Sequence, residues 1–450
     1  MQIARHTKTI PRFTILLATM MIWMVAISWW LARDRFSTST HPAADYLFTA
    51  AGRVGTSTKE LVEQLQSRLR SSPDDWRINS QLGLAYLQLA REIADPTYYQ
   101  KAEAALEKAL DYEPEDYASV SGMGALALAR HQFRVGLEWG ERARQINPER
   151  TYAYGVIADA QIELGLYEEA IQTLQLMVDL RPDMSSYARI SYIRELHGDM
   201  EGAFEMMRWA ADGGAPNLEN SAWIRTQLGN LYFNGGDLKQ AEQEYVKTLN
   251  GYPGYVYALA GLGRVRTAQG KSDEAIQLLK KASEVTPLPE FIITLADIYE
   301  MNSQHEAAQQ QYELLQVIQK LYQANGVDMD LEIALFNADH GIDLEKTLAE
   351  ARQAYTRRPG IYAADVLAWT LYNAGDYREA RRYSQIALRL GTKDALKLFH
   401  AGMIAYRLGD NILAREFLRE ALAINPYFSM RYSPEAQRIL SMLRDGSSQN

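Results

Sequence analysis

The chain has 450 residues, a formal net charge of -9 and no cysteine. That length accommodates two or three ordinary domains or one long repeat array. The missing cysteine excludes disulfides, thiolate metal sites, cysteine nucleophiles and cysteine-linked lipids. The acidic balance gives no support to a nucleic-acid partner, which a basic face usually accompanies.

Residues 1–12 form a basic flank with Arg5, Lys8 and Arg12. Residues 13–32, FTILLATMMIWMVAISWWLA, carry no charge. As a helix they measure about 30 Å, the thickness of a bilayer core. Trp29 and Trp30 stand where an interfacial aromatic anchor belongs, and Arg33 and Arg35 follow at once. The apolar run is longer than a signal-peptide core, and the nearest small pair, Ala43-Ala44, lies well downstream. The segment therefore reads as an uncleaved transmembrane signal anchor, with a cleaved signal and a buried soluble helix as the alternatives. The flanking charges place the N-terminus inside and the C-terminal body outside. In a bacterium this is a single pass through the inner (plasma) membrane, with a cytoplasmic N-terminus and an extracytoplasmic body.

Residues 33–57 read as a tether, with the polar stretch STSTHPAA at 37–44. Over 58–75, Leu61, Leu65 and Leu69 recur at helical spacing and Pro73 closes the run. This predicts an N-terminal helix that covers the front of the C-terminal body.

From residue 76 onward the sequence repeats. Pro114, Pro148 and Pro182 are 34 residues apart, as are Pro253 and Pro287. A small residue stands 12 positions before each, at Ala102, Gly136, Ala170, Ala241 and Ala275. Further units place alanine at 203, 308, 380 and 414, and another small residue recurs seven positions on, as at Ala109, Ala143 and Ala210. Glycine stands five positions before the first alanine of several units, at 165, 198, 236, 270, 375 and 409. The glycine ends a first helix where the chain needs positive φ. The alanines let two helices approach, and the proline stops the second helix. Each unit is thus an antiparallel helix pair that buries its apolar face on its neighbours.

This pattern resembles the tetratricopeptide repeat family, in a bacterial form with an N-terminal membrane anchor. Gly229, Tyr232, Gly236, Ala241, Tyr245 and Pro253 carry the resemblance in one unit; Gly263, Gly270, Ala275, Ala282 and Pro287 carry it in the next. It implies an all-α, right-handed superhelical solenoid over 76–428 in about ten units, preceded by one transmembrane helix. A capping helix is expected at 429–443 and a disordered tail at 444–450.

Some units depart from the period. The first has an insert around 91–98 (REIADPTY), the seventh is lengthened at 315–329, and the eighth carries Thr347 where alanine belongs. Gly213, Gly214 and Pro216 add a loop between the fourth and fifth. Such insertions are either tolerated surface turns or elements that bend the superhelix or touch a partner.

No HExxH, Walker-type, GxSxG or dinucleotide motif is present. Asp339, His340 and His400 are the one local polar cluster, best read as capping or packing groups, and Asp75 and Asp183 read as helix caps. No enzyme activity, cofactor or metal is expected.

In the family, the first helix of each unit lines a concave groove. The resemblance places Tyr152, Tyr192, Trp223, Asn230, Phe233, Tyr257, Arg264, Tyr362, Trp369, Tyr372, Phe399 and Tyr406 there. Aromatic side chains of this kind dominate binding hot spots. Some members grip a C-terminal carboxylate; Asn230 and Arg264 suit that clamp, but Thr226 stands where its lysine belongs. The expectation is a membrane-anchored interaction scaffold that binds a protein or peptide, in the setting of cell-envelope complex assembly. An accessory subunit of an envelope enzyme and a structural spacer are the alternatives.

Overall fold

The repeat of glycine, alanine and proline folds as ten antiparallel helix pairs. A computed structural model describes residues 57–215 and 217–445. The pairs are α2 (Trp76–Ile93) with α3 (Thr97–Tyr112), α4 (Tyr117–Ala129) with α5 (Phe133–Ile146), α6 (Thr151–Glu163) with α7 (Tyr167–Leu180), α8 (Met184–Leu196) with α9 (Met200–Asp212), and α10 (Glu219–Asn234) with α11 (Leu238–Gly251). They continue with α12 (Val256–Ala268) and α13 (Ser272–Val285), α14 (Pro289–Met301) and α15 (His305–Ala324), α16 (Asp330–His340) and α17 (Leu344–Arg357), α18 (Ile361–Asn373) and α19 (Tyr377–Ala387), and α20 (Ala395–Arg407) and α21 (Asn411–Ile424). Helix α1 (Thr58–Ser71) precedes them and α22 (Tyr432–Asp445) follows. The last helix thus runs to Asp445, into the segment expected as a tail. Among the described residues there is no strand and no helix long and apolar enough to cross a membrane. The apolar segment at 13–32 lies outside the described residues.

Small residues set the spacing within each pair. Ala102, Ala170, Ala203, Ala241, Ala275, Ala308, Ala380 and Ala414 are all fully buried. A Cβ on Gly83 would stand 2.5 Å from Leu106 Cγ, and one on Gly229 would stand 2.6 Å from the Tyr245 ring. Helix backbones therefore meet where larger residues would hold them apart, and Leu and Ile fill the gaps between. Thr347 is accommodated at the alanine position of the eighth unit because its hydroxyl bonds the Ile342 carbonyl at 3.0 Å. Asp75 and Asp183 cap α2 and α8.

The array winds back onto itself. Ile361 N donates to the Tyr167 hydroxyl at 2.8 Å across 194 residues of chain. Arg130 Nε donates to the Asn325 carbonyl at 3.0 Å across 195 residues, and Asn425 Nδ2 donates to the Phe233 carbonyl at 2.9 Å across 192. Thr286 bonds the Ile93 carbonyl across 193. At a 34-residue period, one superhelical turn takes a little under six units, and the second turn rests on the first. The end of α4 is capped across this seam, since Asp328 N donates to the Arg130 carbonyl at 3.1 Å. Glycine is required here twice over. Gly165 has φ +74°, and a Cβ on it would approach the Pro359 carbonyl to 2.7 Å; Gly198 has φ +75° and faces the Gly391 carbonyl in the same way.

The irregular segments build this seam. Residues 325–328, after the lengthened α15, meet Arg130, His131 and Gln132. His131 holds a left-handed backbone, φ 59°, and its Nδ1 lies 2.6 Å from the Asp328 carbonyl. The insertions in the first and seventh units are therefore packing elements between turns.

Candidate functional site

A cavity of about 220 Å³ lies between segments far apart in the chain. Its wall combines both turns: Ala90 and Arg91 from the end of α2, Ala94 and Pro96 from the turn after it, Tyr99 from α3, Glu219 and Trp223 from α10, Tyr257 from α12, Leu288 before α14, and Tyr322 from α15. Arg91 bridges it. The guanidinium donates to Glu219 Oε2 at 3.0 Å and to Asn220 Oδ1 at 3.2 Å, and the Tyr255 hydroxyl donates to Glu219 Oε1 at 3.0 Å. Glu219 is thereby buried and fully partnered. Burial pushes the Tyr255 and Tyr257 phenols well up, with the Glu219 charge adding to it at Tyr255 and the Glu290 charge at Tyr257, so both remain protonated. Small-molecule pockets run from about 300 Å³ upward; this volume suits one side chain of a partner segment.

Trp223 and Tyr257 line the cavity. Burial raises the phenol of Tyr152, with the Arg91 charge opposing the rise. Tyr192 is 41% exposed, yet burial raises its phenol strongly, with the Glu163 and Glu195 charges adding to the effect. Tyr362 is half-buried, with Lys397 Nζ 6.0 Å from its ring centre. Asn230 is half-buried and accepts from the Tyr245 hydroxyl at 2.7 Å.

Three expected groove residues are core instead. Phe233 is 4% exposed, Trp369 2% and Phe399 0%. Arg264, also assigned to the groove, covers the Phe233 ring at 4.2 Å. Trp369 is locked by its Nε1 bond to Asp339 at 2.7 Å and by stacking on His400 at 4.1 Å and Tyr372 at 4.6 Å. Phe399 stacks on Tyr432 of α22 at 4.8 Å. Tyr372 and Tyr406 pack partly buried against the same cluster. In the last units, the face assigned to the groove is covered by α22, so these aromatic residues pack within the protein.

Asp339, His340 and His400 take part in that closure. Asp339 Oδ1 accepts from Trp369 and from the Tyr432 hydroxyl, each at 2.7 Å. Arg431 donates to the Asp339 carbonyl at 2.6 Å and lies 2.9 Å from His340 Nε2. His400 Nδ1 stands 3.1 Å from both Asp365 oxygens and is fully buried. The three form two polar clusters around the Trp369 ring. Among the described residues no three His, Cys, Asp or Glu side chains are grouped to hold a metal.

A second charged cluster lies farther along the interior. Glu163 is pushed up to about 7 by burial, with Glu332 and Asp159 adding to the effect and Arg358 opposing it. Arg358 is 6% exposed. Its guanidinium lies 3.6 Å from Glu332 Oε2 and 5.6 Å from the Phe133 ring centre, and its Nη2 makes no hydrogen bond among the described residues.

Arg91, Tyr99, Glu219 and Tyr322 lie outside the groove positions that the repeat pattern assigns. For Arg91, Tyr99 and Tyr322 the signal in the sequence is the departure from the 34-residue period in the first and seventh units; Glu219, at the start of α10, has no such signal.

Tetratricopeptide repeat models match residues 151–184, 226–286 and 366–427, and these matches support that repeat family. The CTR9 homolog of Arabidopsis thaliana is 24% identical over 195 residues, covering 42% of this chain and 18% of that protein. Cellulose synthase operon protein C of Komagataeibacter xylinus is 23% identical over 313 residues, covering 68% of this chain and 23% of that protein. The chain thus spans less than a quarter of the length of these curated relatives. A solved structure of the human IFIT1 dimer with PPP-AAAA superposes with a TM-score of 0.47 at 16% identity, covering 77% of this chain and 82% of that one.

Proposed function

We propose that this chain of tetratricopeptide repeats is a membrane-anchored scaffold that binds an extended protein or peptide segment inside its superhelix. The observation that carries the reading is the cavity walled by Tyr99, Trp223, Tyr257 and Tyr322. Rigid aromatic faces give large contact area at small entropic loss, and they anchor hot spots when they sit in a partly enclosed pocket. The uncharged run at 13–32 and its basic flank support the anchor, with the repeats on the extracytoplasmic side of a bacterial inner membrane. Assembly of cell-envelope complexes is the setting this implies.

A structural spacer is the competing reading. The Arg91–Glu219 bridge favours it, because the chain's own side chains occupy part of the interior. The double variant Trp223→Ala, Tyr257→Ala separates the two. Both residues are at least partly exposed, so the array stays folded. In-cell crosslinking with mass spectrometry is expected to lose the partner seen with the wild-type chain. An unchanged set of crosslinked proteins contradicts the interior site. For the anchor, the intact chain stays in the membrane fraction after a high-pH wash; release of a shortened chain contradicts it.

A further inference from the structure

We infer that the interior cavity takes a cationic side chain, a lysine or arginine of the partner segment, so that the partner is a basic peptide and not an acidic or purely apolar one. This deepens the proposed interior binding and rests on it. The first observation is the shape and chemistry of the wall. Tyr99, Trp223, Tyr257 and Tyr322 converge on one space that a single side chain fills. Aromatic faces carry negative potential, and several rings around a small space attract a cation.

The second observation is the balance of charge around those rings. Arg91 is taken up by Glu219 at 3.0 Å. Arg130 is taken up by Glu103 through paired bonds of 2.7 and 2.8 Å. Glu290, in the first turn of α14, forms no ion pair among the described residues, and burial raises its carboxyl. Its charge acts on the phenols of both Tyr257 and Tyr322. The Asp95 charge acts on Tyr99 and Tyr322. With Arg91 and Arg130 paired, the groups acting on these rings that form no ion pair among the described residues, Glu290 and Asp95, are acidic. An ammonium or guanidinium group supplies the missing positive charge and meets the ring faces at the same time. A carboxylate would meet Glu290 with like charge.

The test uses the full-length chain in detergent and three small probes: the N-acetyl methylamides of lysine, norleucine and glutamate. Binding is followed on the indole N–H signal of Trp223 by NMR, with Trp223→Phe to assign it. The lysine probe is expected to shift this signal saturably, with norleucine weaker by about tenfold and glutamate without effect. Glu290→Gln, a change at an exposed position that leaves the core untouched, is expected to bring the lysine response down to that of norleucine. Equal responses to lysine and norleucine, saturation by glutamate, a silent Trp223, or an unaltered lysine response in Glu290→Gln would each overturn the inference. The proposed interior binding is judged separately by the in-cell crosslinks of the Trp223, Tyr257 double variant, which do not depend on the charge of the anchor.

Discussion

The backbone N–H of Ile361 donates to the hydroxyl of Tyr167 at 2.8 Å, although 194 residues separate them. This bond belongs to no repeat unit. It joins one superhelical turn to the next, and it is buried. Tyr167→Phe keeps the ring and removes the acceptor, leaving a buried donor unsatisfied at about 1–3 kcal/mol. Hydrogen exchange is expected to show lost protection at Ile361, with protection inside α7 retained. Unchanged protection at Ile361 would mean that the turns do not depend on this contact.

Two glycines with similar backbones separate seam contact from backbone strain. Gly198 has φ +75° and faces the Gly391 carbonyl, whereas Gly375 has φ +89° and nothing within 4 Å. Gly375→Ala is expected to cost about 1–2 kcal/mol for the left-handed backbone alone. Gly198→Ala adds a clash across the seam and is expected to cost at least about 1 kcal/mol more. Urea titration of the two variants measures the difference, and equal losses would contradict the seam.

Arg91→Met retains an apolar stem and removes the charge that partners Glu219. The carboxylate is nearly inaccessible while the guanidinium is almost half exposed. The expected loss is about 2 kcal/mol, below the value for a fully buried pair. The double variant Arg91→Met, Glu219→Gln is expected to recover part of it, read as a thermal midpoint. A double variant less stable than Arg91→Met would contradict the pairing.

The Glu163 carboxyl titrates at about 7 in the folded chain, against an ordinary value of 4.5. Between those values the folded state holds the extra proton, so stability falls as pH rises from about 5 through 7. Glu163→Gln is expected to flatten that slope and to stabilise the chain at pH 8 by about 1–2 kcal/mol. Urea midpoints at pH 5 and pH 8 measure this. A variant that keeps the wild-type slope would assign the titration to another group.

The helix pairs were legible because their causes are local. Glycine at a left-handed turn, alanine at a close approach and proline after a helix act within one unit. The seam was not legible, because Tyr167 and Ile361 meet only after a full superhelical turn, whose length depends on small rotations summed over the units. The groove assignment failed at Trp369 and Phe399 for a related reason. Position in a repeat fixes which way a side chain points, but α22 then covers the last units. Arg91 and Tyr322 carry no repeat signal because they sit in insertions, which have no position in the repeat.

The most direct measurement of the central claim is site-specific photocrosslinking in cells. A benzoylphenylalanine at Tyr192 or Trp223 reports from the interior; one at Ile412 of α21 or Val317 of α15, 69% and 62% exposed, reports from second helices of units. The account predicts one common adduct from both interior positions, absent from the other two. Adducts from Ile412 and Val317 with none from Tyr192 and Trp223 would contradict it.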